Sequence, residues 1–88
     1  MAMTQERRER VAKRLERLKE ALDKYYDAEI TLIEGGQQYS LGSRSLTRAN
    51  LAEIRRAIVD LEKQIDRLTA ELNGSSRNLQ IAVIPIDT

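Results

Sequence analysis

Along most of this chain apolar residues recur at alternating steps of three and four. From about Thr4 to Glu34 they are Val11, Leu15, Leu18, Leu22, Tyr25 and Leu32, with Glu29 the one interruption. That period places them on one face of an α-helix. Thr4 offers an N-cap hydroxyl and Glu6 an acidic first turn. Gly35-Gly36 predicts the stop, because glycine accepts the left-handed conformation that helix ends require. At a rise of about 1.5 Å per residue the rod is about 45 Å long. A second, more regular series follows: Leu51, Ile54, Ile58, Leu61, Ile65, Leu68 and Leu72. It predicts a helix with one wholly aliphatic face, an N-cap at Thr47 and a stop at Asn73-Gly74.

Between the two, the pattern changes to strict alternation. Gln38 to Leu41 and Arg44 to Thr47 flank Gly42-Ser43, a Gly-first pair suited to a two-residue type II′ turn. This register sets Tyr39 opposite Leu46 and Leu41 opposite Arg44. Tyr39, Leu41 and Leu46 then share an apolar side while Ser40 and Ser45 point away. Two strands alone are only marginally stable, so that side is expected to lie across the helix ends.

Beyond Gly74 the character changes again. Ser75, Ser76 and Asn78 mark a flexible joint, and LQIAVIPIDT, Leu79 to Thr88, has the β-branched aliphatics of a strand. Pro85 cannot donate a ladder hydrogen bond, which assigns this strand to an edge or an extended arm. The expected architecture is mostly α with a small β element (α+β). Residues 1–74 form a long antiparallel helical hairpin with an intervening β-hairpin, and residues 75–88 form the joint and an apolar C-terminal arm.

Size makes this arrangement demanding. Eighty-eight residues have difficulty burying enough apolar surface to offset their conformational entropy. There is no cysteine to staple the fold and no histidine to serve as base or metal ligand. Help from neighbouring subunits is therefore expected. The heptad face of the second helix is assigned to an intramolecular core with the first. Its rival is a parallel coiled-coil dimer, which Ile58 and Ile65 with Leu61 and Leu68 would suit.

Charge adds a further pattern. Charged residues are 33% of the chain yet sum to +1, which describes solvated helix faces better than a nucleic-acid module. The balance is local as well. Residues 1–19 hold seven basic and three acidic side chains, net +4, and residues 20–34 hold one basic and five acidic, net −4. This order opposes the helix dipole. Antiparallel folding would set the acidic end near Arg48, Arg55 and Arg56, and the basic end near Glu62, Asp66 and Glu71. The alternative use of the basic end is contact between Arg7, Arg10, Arg14 and Arg17 and phosphates or an acidic partner.

The parts of an enzyme are missing from the pattern. Carboxylates are scattered at spacings suited to Lys or Arg pairs, and the serine-rich stretches have no general base beside them. No glycine-rich stretch joins a strand to a helix as a phosphate loop does. No catalytic, metal-binding or cofactor-binding residue is assigned, and no cofactor is expected. No apolar run approaches the roughly 20 residues that span a bilayer, and the N-terminal residues lack a signal-peptide core, so no membrane partner is expected.

The segment YSLGSRSLTRANLAEIRRAI between the two helices resembles small proteins of tailed-phage and prophage morphogenesis clusters. These carry a Tyr-x-Ile/Leu-Gly-x-Arg-x-Leu-Thr-Arg-x-x-Leu-x-x-Ile run, matched here by Tyr39, Gly42, Arg44, Leu46, Thr47, Arg48, Leu51 and Ile54. The likeness covers about Ala21 to Leu72. In arrangement the chain also resembles the lambda W-type head-to-tail joining proteins, which pair two helices with a β-hairpin. The resemblance implies a virion structural role as a connector subunit, in a homo-oligomeric ring between portal and tail-side proteins, with the host cytoplasm as the place of assembly. The subunit contacts expected are Tyr39, Leu41, Arg44 and Leu46 of the hairpin and Leu79, Ile81, Val83, Ile84 and Ile86 of the arm. The alternatives are a coiled-coil dimeric adaptor and a nucleic-acid-binding protein that uses the basic N-terminal helix.

Overall fold

A computed structural model of the chain describes residues 4–74. Helix α1 spans Gln5–Ile33, strands β1 and β2 span Tyr39–Leu41 and Arg44–Leu46, a single 3₁₀ turn covers Arg48–Asn50, and helix α2 spans Leu51–Gly74. The fold is mostly α with a small antiparallel two-stranded sheet. The helices run antiparallel: Arg7, early in α1, meets Glu71, late in α2, while Glu29 meets Arg55. The expected joint and apolar arm, residues 75–88, lie outside the described residues.

Local chemistry sets each boundary of α1. The Thr4 side chain accepts a hydrogen bond from the Arg7 backbone N–H at 3.1 Å, satisfying one of the donors a helix start leaves open. At the other end Gly35 has φ +105°, and the chain folds back on the last turn. The Gly36 N–H donates to the Thr31 carbonyl at 2.9 Å and the Gly35 N–H to that of Leu32 at 3.4 Å, the pairing of a Schellman motif. The second glycine is needed for space: a Cβ on Gly36 would lie 2.7 Å from the Thr31 methyl and 2.8 Å from its carbonyl oxygen.

The hairpin has the expected register, with Tyr39 opposite Leu46, Ser40 opposite Ser45 and Leu41 opposite Arg44. Gly42 supplies the positive φ of the turn, +62°. Tyr39 and Leu41 are half-buried against the core and Leu46 is 1% exposed, while Ser40 and Ser45 face outward. Thr47 was expected to cap the second helix directly; instead the 3₁₀ turn intervenes. Asn50 is the physical reason. Its Oδ1 accepts the Thr47 N–H at 2.8 Å while its own N–H donates to the Thr47 carbonyl at 2.8 Å. Asparagine forms such local bonds in preference to a place inside a helix.

Ala28 and Leu32 of α1, Leu46 of β2, and Ile54 and Ile58 of α2 make one buried cluster. Leu22, Tyr25, Tyr26, Tyr39, Leu41 and Leu51 pack round it. The front of the α2 heptad face is thus used inside the chain, as the intramolecular reading expected. The core lies at the hairpin end. Toward the opposite, open end Leu15 alone is buried among the described residues, and Val11, Leu18, Leu61, Ile65, Leu68 and Leu72 remain half-exposed.

Leu46 links the sheet to both helices, so truncation there should be felt by the whole domain. Leu46→Ala is expected to cost about 2–5 kcal/mol, the range for emptying a core leucine site. The half-buried Leu41→Ala should cost clearly less. Urea unfolding followed by circular dichroism compares them.

Candidate functional site

Two regions of the surface gather the residues singled out by sequence. At the closed end, Arg44 of β2 makes a two-point contact with Glu53 of α2, at 2.6 and 3.3 Å. Asn50 donates to the same carboxylate at 3.4 Å. The bonds fasten the hairpin turn to the first turn of α2. They hold the Glu53 carboxyl below its usual range, chiefly through the hydrogen bond from Arg44, and raise the Arg44 guanidinium further. Arg44 was expected at a subunit contact; its charge is paired within the chain. Leu46, expected there too, is buried in the chain's own core, because only contact with both helices shields the apolar side of so small a sheet. Tyr39 and Leu41 keep part of their surface exposed. Leu79, Ile81, Val83, Ile84 and Ile86 lie outside the described residues.

Arg48 has a different task. Its Nε donates to the Leu32 carbonyl at 3.0 Å and its Nη2 to that of Ile33 at 3.3 Å. α1 has no basic residue in its last turn, and Arg48 supplies the cation from across the loop, where the carbonyl end of a helix favours positive charge. At the open end Arg8 does the same for α2, its Nη1 donating to the Leu72 carbonyl at 3.2 Å. The reversed charge order of α1 is therefore partly explained by the partner helix: each C-terminus is met by an arginine from another element.

The remaining arginines of the N-terminal stripe are exposed. Arg7 approaches Glu71 at 3.6 Å. Arg7, Arg10 and Arg14 from α1 and Arg67 and Glu71 from α2 line a groove of about 300 Å³ that includes the apolar Val11 and Leu68. It adjoins a hollow of about 390 Å³ reached by Lys13 and Arg17.

One further contact gave no signal in the sequence. The Tyr26 hydroxyl donates to the Glu62 carboxylate at 2.5 Å, joining the last third of α1 to the middle of α2. That bond, some burial, and the negative charges of Glu62, Asp23 and Glu29 raise its pKa. Among the described residues no group of three His, Cys, Asp or Glu could hold a metal ion, and no helix is long and apolar enough to cross a membrane.

The model of DUF6148, a family of unknown function, matches residues 3–88, nearly the whole chain. The chain belongs to the DUF6148 family. No curated protein and no solved structure matches it. Membership thus relates the helix–hairpin–helix body and the C-terminal residues to a single family.

Two outcomes test these roles. Arg48→Met should weaken the end of α1 by about 1 kcal/mol, the usual net value of a hydrogen bond, with faster amide exchange at Gly35 and Gly36. Glu53 has a lowered folded pKa, so its pair with Arg44 stabilises above the ordinary glutamate value and loses that effect as pH falls through the lowered one. Arg44→Ala should therefore lower the urea midpoint at pH 7 and make a smaller difference at about pH 2, below the glutamate range.

Proposed function

We propose that this chain is a structural protein of a tailed-phage virion, a connector subunit that forms a ring of identical copies between portal and tail-side proteins. It assembles in the host cytoplasm and acts by binding rather than by catalysis. The observation that carries the reading is the seating of a two-stranded hairpin between two long antiparallel helices, built by the residues that match the phage motif. Leu46 and Ile54 meet in the core, Arg48 caps α1, Arg44 fastens the turn and Gly42 makes it. The lambda W-type joining proteins that the sequence resembles likewise pair two helices with a β-hairpin.

The unfinished core supports an assembling role. With full burial concentrated at the hairpin end, the seam at the open end stays half-exposed. α2 ends at Gly74, at that same open end. In the proposed ring the arm, through Leu79, Ile81, Val83, Ile84 and Ile86, adds a strand to a neighbour's hairpin or fills its apolar seam. Strand addition satisfies backbone groups that a two-stranded sheet leaves open at its edges. Repeated from copy to copy, such an exchange closes into a ring when the rotation permits.

Deleting Leu79 to Thr88 is expected to lower the mass of the purified assembly while leaving helicity largely intact. Light scattering of the protein, alone and mixed with a portal protein, reads the mass, and circular dichroism reads the helicity. An unchanged mass counts against the arm, and a single copy under every condition counts against the ring.

A further inference from the structure

We infer that neighbouring copies join through two charged stripes of α1, the arginine stripe Arg7, Arg10, Arg14 and Arg17 of one copy meeting the acidic stripe Glu16, Glu20, Asp23 and Asp27 of the next. The inference rests on the ring reading and names the surfaces that make the ring.

The two stripes match in length and pattern. The arginines step 3, 4, 3 and the acids 4, 3, 4 along the helix, so each runs along one face for about 15 Å at 1.5 Å per residue. At 3.6 residues per turn the faces are separated by about a third of a turn. One copy therefore presents both surfaces in different directions. A joint between unlike surfaces is head-to-tail, the kind that builds rings.

All eight side chains are exposed, and among the described residues only Arg7 of the eight forms an ion pair within its own chain. The arginine stripe also places like charges three and four residues apart, which destabilises an isolated helix, and only Glu6 and Glu20 offer an acid at that spacing within α1. Antiparallel folding relieves little of this, because the acids of α2 meet the stripe only at Glu71. A neighbour's acidic stripe relieves this repulsion. The same chemistry favours a second copy over a nucleic acid. Glu71 stands in the groove among the arginines, where it would repel a phosphate, and the whole chain is only +1.

A charge exchange tests the pairing. Reversing all four arginines, Arg7→Glu/Arg10→Glu/Arg14→Glu/Arg17→Glu, leaves a full-length chain with two acidic surfaces, and Glu16→Lys/Glu20→Lys/Asp23→Lys/Asp27→Lys a chain with two basic ones. Each variant alone is expected to run as a single copy at a concentration where the wild type is an oligomer, and their equimolar mixture to regain the oligomer's mass. Circular dichroism checks that both remain helical, and Arg14→Gln/Arg17→Gln and Glu20→Gln/Asp23→Gln repeat the single-variant arms without reversal. Variants that stay oligomeric alone, or a mixture that fails to recover, overturn the stripe pairing while a wild-type oligomer keeps the ring. A wild type that is always a single copy overturns both. Tight, salt-sensitive binding of generic duplex DNA by wild-type single copies assigns the stripe to phosphate and also overturns the inference.

Discussion

At the end where the loop joins them, the two long helices of this chain share their core with the hairpin between them. Leu46 makes the connection. It stands on a three-residue strand, is held in register by the Gly42 turn, and fills the space among Ala28, Leu32, Ile54 and Ile58. Once it is seated, Arg48 lies over the last carbonyls of α1 and Arg44 over Glu53, so apolar burial and the polar fastenings depend on one placement. The hairpin is a wedge as much as a surface.

Burial is therefore unequal along the molecule. The closed end has a compact cluster with satisfied helix termini; the open end has Leu15 and a half-exposed aliphatic seam. Small domains are marginal because so little of their surface can be withdrawn from water. A chain that concentrates burial at one end leaves apolar surface at the other. Charge follows the same division, with acids of α1 tied to α2 near the hairpin through Glu29 and Arg55, and a row of arginines exposed at the open end.

This arrangement also accounts for a charge order that opposes the dipole of α1. A helix judged alone should carry acids first and bases last. In the folded chain the C-terminal carbonyls of α1 are served by Arg48 and those of α2 by Arg8. Base-first ordering in α1 is partly a requirement of antiparallel pairing. The portion left unexplained, Arg10, Arg14 and Arg17 against Glu16, Glu20, Asp23 and Asp27, is the portion the proposed head-to-tail contact uses.

The sequence by itself determined both helices, the hairpin register and the glycine stops, because each follows from periodicity or from backbone preferences acting over a few residues. Thr4, Gly35 and Gly42 do locally what their chemistry predicts. It did not determine the 3₁₀ turn before α2, where Asn50 folds its side chain back onto Thr47 in competition with the helix. Nor did it pair Arg44 with Glu53 within the chain, or reveal the Tyr26–Glu62 bond between residues 36 apart. Those depend on which faces the antiparallel pairing brings together. Periodicity says that a side chain faces a partner, and only the tertiary structure decides whether that partner belongs to the same chain.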